Sequence, residues 1–130
     1  MKILFCYPNL HMRVTIPGGI SILSACLKRA GYNDIELFDG TWFTQDDGTA
    51  CRHIERAKRG QVKPTQYNWS TNDGELYSEW RKKVLEYKPD VIISSIVEDT
   101  YVIWGKMMDK VSDCNFTSIV GGIFPTSAPE

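Results

Sequence analysis

Apolar positions along the chain switch between the two-residue period of strands and the roughly 3.6-residue period of helices. The run Ile3-Leu4-Phe5-Cys6-Tyr7 predicts a first strand over residues 2–7. Ile20, Leu23, Leu27 and Ala30 then recur at spacings of 3, 4 and 3, one face of a helix over 19–30. Gly31 is placed to end that helix in a left-handed cap. Residues 34–38 form a short strand in which Ile35 and Leu37 alternate with Asp34 and Glu36, as suits a sheet edge. Asp39-Gly40 turns the chain.

Residues 40–72 break the pattern. A polar helix over 45–59 is predicted, with Asp46 and Asp47 at its start, Arg56, Lys58 and Arg59 at its end, and Gly60 to stop it. Residues 61–71 read as irregular. Asn72, with Glu75 three residues on, resembles a capping box for the next helix, whose Leu76, Trp80 and Val84 share a face. Pro89 stops it. Residues 91–97 are mostly apolar and suit a central parallel strand buried on both faces. Tyr101, Trp104, Met108 and Val111 mark another amphipathic helix with Asp99 as its N-cap, and 117–120 form the last strand.

Alternating strands and helices imply a parallel sheet with right-handed crossovers. The polar second strand belongs at an edge and the apolar third strand in the middle. That gives an α/β, flavodoxin-like doubly wound sheet, a Rossmann-like arrangement of strand order 2-1-3-4. Ligands of such sheets bind at the carboxyl ends of the strands, near the switch between strands 1 and 3. The loops there are 8–19, 97–101 and 121–126.

A length of 130 residues fits one domain, 1–130. Lys plus Arg number 15 against 16 Asp plus Glu, so the basic excess of a nucleic-acid binder is missing. The first apolar run is too short for a signal core or a membrane span, which points to a cytoplasmic protein without a membrane partner. Cys6, Cys26, Cys51 and Cys114 are scattered, with no C-x-x-C, and read as reduced thiols. Ser127-Ala128-Pro129-Glu130 reads as a helix start. The expectation is a fragment of a longer protein, with a fifth strand lost by truncation.

Several residues in the switch-point loops could carry chemistry, each with a plainer alternative. Gly121-Gly122 after a strand permits close approach of a flat ligand, or simply a turn. Ser94 and Ser95 interrupt an apolar strand and could bond a ligand or the backbone. Gly18-Gly19 at a helix start could hold an anionic or amide oxygen, although G-x-G-x-x-G is absent. Glu98 and Asp99 read first as helix-start acids and can also accept N–H groups of a ligand.

Taken together, Tyr7-Pro8-Asn9, Pro17-Gly18-Gly19-Ile20, Lys88-Pro89-Asp90-Val91-Ile92, the segment from Ser94 through Ile96, Val97, Glu98, Asp99 and Thr100 to Tyr101, and the closing segment resemble a known family. That closing segment is Val120-Gly121-Gly122-Ile123-Phe124-Pro125-Thr126 and on to Glu130. The family is the cobalamin-binding N-terminal domain of cobalamin-dependent radical S-adenosylmethionine enzymes. The resemblance spans nearly the whole chain except about 44–72. It implies corrin lying on the carboxyl edge of the sheet, base-off, with the nucleotide tail threaded inward. Ser94 and Ser95 match the family's tail-contacting hydroxyls, Gly121 and Gly122 the pair lining the tail channel, and Ile96, Val97 and Ile123 its apolar walls. Pro8, Asn9, Gly18, Gly19, Glu98–Tyr101 and Phe124–Thr126 complete the implied rim.

Classical cobalamin domains carry D-x-H-x-x-G, in which His binds cobalt. Here Asn9-Leu10-His11-Met12-Arg13-Val14 lacks the Asp and the Gly, so His11 reads as a loop histidine rather than a ligand. The chain also lacks C-x-x-x-C-x-x-C, so an iron–sulfur cluster and S-adenosylmethionine are expected only in a separate catalytic domain, the partner of this one. By itself the chain is expected to bind and orient the cofactor, not to catalyse. A ligand-free interaction module of the same fold is the alternative. A receiver or flavin-binding domain ranks last, for want of the receiver aspartate and of a Ser/Thr-rich phosphate loop.

Overall fold

The computed structural model describes residues 1–10, 17–44 and 72–127. In chain order it places β1 (Ile3–Tyr7), α1 (Gly18–Arg29), β2 (Ile35–Asp39), a 3₁₀ turn (Gly40–Trp42), β3 (Phe43–Thr44), β4 (Asn72–Glu75), α2 (Leu76–Tyr87), β5 (Val91–Ser95), α3 (Glu98–Asp109), β6 (Thr117–Gly121) and α4 (Ile123–Ser127). The four long strands form one parallel sheet in the order β2-β1-β5-β6. This is the doubly wound, flavodoxin-like arrangement expected from the alternation of periods. The short parallel pair β3–β4 is an addition that the sequence pattern does not announce.

Strand alternation divides the core in two. Leu4, Cys6, Phe38 and Ile92 face α2 and α3, where Leu76, Trp80, Val84, Ile103, Met107 and Val111 meet them. Ile3 and Phe5 face the other way, onto Ile20, with Leu27, Ile35 and Ile93 around them. Two helices therefore cover one face and, among the described residues, only α1 covers the other. β5 shows the consequence. Ile92 and Ser94 are buried, whereas Val91, Ile93 and Ser95 are half-buried, so the expected burial on both faces holds for one face only. On β6, Ile119, which pairs with Ile93, stays 50% exposed.

Trp80 fixes α2 to α3: it is fully buried and its indole N–H donates to the Met107 carbonyl at 2.8 Å. The Arg81 guanidinium holds Asp113 through two bonds of 2.7 and 2.8 Å, an exposed pair of small energetic weight. α1 ends as expected. Gly31 has φ 93°, its N–H donates to the Lys28 carbonyl, and the Tyr32 N–H donates to that of Leu27.

Several local expectations are corrected. Residues 72–75 form a strand, and α2 is capped by Glu75, whose carboxylate accepts from the Tyr77 and Ser78 amides at 3.2 and 2.9 Å. Partial burial pushes the Glu75 carboxyl up, but the bonds from Ser78 and Tyr77 outweigh it and hold the group below its ordinary value. On α3 the buried stripe is Thr100, Ile103 and Met107, running on to Val111, whereas Tyr101 is 47% exposed and Trp104 and Met108 are half-buried. On β2, Phe38 is buried and Leu37 is 45% exposed, because alternation turns Phe38 to the α2–α3 face and Leu37, beside Phe5, to the less covered face. Cys26 is exposed. The last helix starts at Ile123, earlier than the start expected around 127–130. The expected polar helix over 45–59, the irregular stretch 61–71 and the histidines His11 and His53 lie outside the described residues.

Candidate ligand cavity at the switch point

β1 and β5 are neighbours whose crossovers leave in opposite directions, so their carboxyl ends open a crevice. A cavity of about 440 Å3 sits there, lined by Tyr7, Pro8, Asn9, Pro17, Gly18, Gly19, Ile20, Ser95, Val97, Thr100 and Ile123. Period two in the strands selects its floor: Tyr7 and Ser95 both point to the α1 side.

Among the described residues, the lining carries no Asp, Glu, His, Lys or Arg, and its polar groups are hydroxyls, one amide and backbone. The start of α1 supplies the backbone. Pro17 offers no capping side chain, the first turn holds no acid, and a Cβ at Gly18 or Gly19 would meet nothing within 4 Å. Among the described residues the first amides of α1 thus receive no capping side chain. The start of α3 differs. Thr100 Oγ accepts from the Val97 amide and donates to the Val97 carbonyl, both at 3.1 Å, and Glu98 and Asp99 sit in the first turn. Val97, not Asp99, is therefore the N-cap.

Asn9 is 3% exposed and is anchored from the neighbouring turn. Its Nδ2 donates to Thr41 Oγ at 2.8 Å, and the Thr41 hydroxyl donates to Asp39 Oδ1 at 2.6 Å. Asp39 Oδ1 also accepts from the Thr41 amide at 3.0 Å, and Asn9 Oδ1 accepts from the Leu10 amide at 2.9 Å.

Of the residues singled out from the sequence, the cavity gathers Pro8, Asn9, Gly18, Gly19, Ser95, Val97, Thr100 and Ile123. Ser94 is not with them. Strand alternation turns it to the opposite face, 1% exposed, beside Cys6 across the β1–β5 ladder. Burial pushes the Cys6 thiol up to about 12, the Ser94 hydroxyl offsetting little of it. Their contact falls short of hydrogen-bond geometry, and among the described residues Ser94 Oγ has no partner.

The two glycines after β6 differ. Gly122 has φ 113°, and a Cβ there would collide with the Ile96 carbonyl oxygen. Its bareness is used by the chain itself, at the place where the Ile96 amide donates to the Gly121 carbonyl at 2.9 Å. A Cβ at Gly121 would find only Ser94 O, at 4.0 Å. Tyr101 and Phe124 pack against each other with ring centroids 5.1 Å apart, joining α3 to α4. Thr126 Oγ donates to the Gly122 carbonyl at 2.8 Å. Glu98, Asp99 and Pro125 lie outside the lining, as do Ile96, Gly121 and Gly122.

Tyr7, Pro17 and Ile20 also line the cavity, although the sequence offers them only as parts of the motifs that carry the resemblance and not as site residues. For Tyr7 and Ile20 the signal was present in the period of β1 and in the first turn of α1. A second cavity, about 280 Å3 and lined in part by Lys88, Asp90, Cys114 and Phe116, lies at the amino ends of β5 and β6, away from the ligand edge of such sheets. Among the described residues no three His, Cys, Asp or Glu side chains cluster as a metal site, and no helix is long and apolar enough to cross a membrane. Compared with known families and curated proteins, the chain matches no family model and no curated sequence.

Proposed function

We propose that the chain binds cobalamin at the carboxyl edge of its sheet, base-off, and presents it to a radical S-adenosylmethionine catalytic domain in the cytoplasm. The observation that carries this reading is the cavity at the β1–β5 switch point, whose described lining holds no charged side chain, with Ser95 in its floor and the Gly18-Gly19 backbone at its rim.

The residues fit the group in part. A volume of about 440 Å3 has room for a nucleotide-sized arm and not for a corrin, which would rest on the rim. Ser95 and the α1 backbone supply hydrogen-bonding groups, Thr100 and Asn9 line the wall with their polar groups bonded to Val97, Thr41 and Leu10, and Val97, Ile20 and Ile123 supply apolar wall. Burying that wall against the ligand contributes about 25 cal/mol per Å2. Gly121 leaves room beside the strand end, whereas the room at Gly122 is taken by Ile96. When bound, the cofactor supplies organocobalt chemistry, methyl transfer included. The chain's own part is to bind, to orient and to keep charge away from the arm. The iron–sulfur cluster and S-adenosylmethionine belong to the catalytic domain in this reading.

A second reading, a ligand-free interaction module, is favoured by the exposed apolar groups Ile119 and Ile123, 50% and 75% exposed. Reconstitution separates the two. The purified chain is incubated with hydroxocobalamin, desalted and scanned. Retained, stoichiometric cobalamin with a base-off spectrum supports the first reading, and quantitative loss on desalting supports the second.

A further inference from the structure

Asp39 and Thr41 stand outside the cavity, yet a directed chain of hydrogen bonds runs to them from its wall. Asn9 Nδ2 donates to Thr41 Oγ, and Thr41 donates its only hydroxyl proton to Asp39 Oδ1. Asn9 and Thr41 are 3% and 2% exposed, so water does not replace a lost partner cheaply. The turn that carries Thr41 is pressed onto the end of β1. A Cβ at Gly40 would stand 3.2 Å from the Tyr7 carbonyl oxygen and 3.3 Å from the Asn9 nitrogen.

We infer that Asp39 and Thr41 are positioning residues for the switch-point cavity, fixing the Asn9 wall through a one-way chain of hydrogen bonds that ends on a carboxylate. The direction of the chain also explains the amide at position 9. Thr41 has one proton and gives it to Asp39, so the group facing Thr41 Oγ must be a donor. A carboxylate at position 9 would set two acceptors against each other. The inference concerns the site to which the cobalamin reading assigns the nucleotide arm, and its link to affinity rests on that reading.

The test uses the full chain in three forms: native, Thr41→Val and Thr41→Ser. In the native protein the Asn9 side-chain N–H protons exchange slowly by NMR, and the Leu10 amide is protected. In Thr41→Val the Leu10 amide exchanges at least about tenfold faster while Phe5 in β1 keeps its native rate. Thr41→Ser restores native exchange. Hydroxocobalamin affinity falls by about the same factor in Thr41→Val and returns in Thr41→Ser.

Solvent-rate exchange of the Asn9 side chain in the native protein overturns the inference without any variant. So does an unchanged Leu10 amide in Thr41→Val, or an equal acceleration at Phe5. Native protein that fails to bind hydroxocobalamin while the exchange pattern holds sinks the cobalamin reading and leaves the positioning role standing.

Discussion

A methyl group at Gly122 has nowhere to go. The backbone there has φ 113°, outside the conformations that L side chains adopt readily, and the added carbon would run into the Ile96 carbonyl oxygen and stand 2.9 Å from the Ile96 nitrogen. Both opposing atoms are backbone, so relief requires moving the β5–α3 junction. The conformational penalty is about 1–2 kcal/mol and the overpacking penalty about 1–3 kcal/mol. Gly122→Ala should therefore lose about 2–5 kcal/mol of stability. With a urea dependence of about 1–3 kcal/mol/M, the unfolding midpoint should fall by roughly 1 M or more.

Gly121→Ala is the internal control. Its φ is not positive, its Cβ would meet only Ser94 O at 4.0 Å, and alanine in a strand gains about 0.5–1 kcal/mol over glycine. The two variants, unfolded in urea and followed by circular dichroism, should separate clearly, with Gly121→Ala at or above the native midpoint. Equal midpoints would refute the reasoning that Gly122 serves the chain's own packing.

Trp80→Ala should cost about 3–5 kcal/mol by urea unfolding, since the indole is fully buried and bonded to Met107, and a loss below 1 kcal/mol would contradict that packing. The Arg81 hydrogen bonds hold the Asp113 carboxyl down at about 2. Its share of stability is therefore present above the ordinary carboxylate value of about 3.9 and is lost as pH falls through about 2. In Arg81→Ala an NMR titration should find Asp113 back in the ordinary range, and an unchanged low value would refute the pairing. Burial pushes the Cys6 thiol up to about 12, so at pH 8 a maleimide should label exposed Cys26 promptly and Cys6 only on unfolding. Comparable labelling of both in the native state would contradict the burial.

The sheet order was legible because each strand announced its place. Ile3 to Tyr7 is apolar throughout and Val91 onward is mostly so, as central strands are, and Ile35 to Asp39 carries Glu36 and Asp39 as an edge can. The α3 stripe was misread by one residue because Tyr101 and Trp104 are large and apolar, and they pack on each other near the surface at 6.1 Å. Thr100, which takes the buried place, is polar in composition but satisfies its hydroxyl on Val97.

The Glu75 cap was hidden for a different reason. Asn72 is the stronger N-cap type, but the pairing of β3 with β4 holds residues 72–75 extended. At the site, the loops were legible from topology, whereas the division of labour within pairs was not. Ser94 and Ser95 look alike in sequence, and the two-residue period sends them to opposite faces. Gly121 and Gly122 look alike, and only the backbone of Ile96 tells them apart. The Asp39–Thr41–Asn9 chain spans residues far apart in sequence and appears only when the β1 and β2 ends meet.

Cobinamide keeps the corrin and lacks the nucleotide arm, which makes it the direct probe of the cavity. Spectroscopic titration of the native chain and of Ser95→Leu, which fills the floor, compares its affinity with that of hydroxocobalamin. The arm-in-cavity account predicts that the native chain binds cobalamin at least about tenfold more tightly than cobinamide, and that Ser95→Leu abolishes the difference. Equal affinities in the native chain, or a preference for cobalamin that survives in Ser95→Leu, would contradict it.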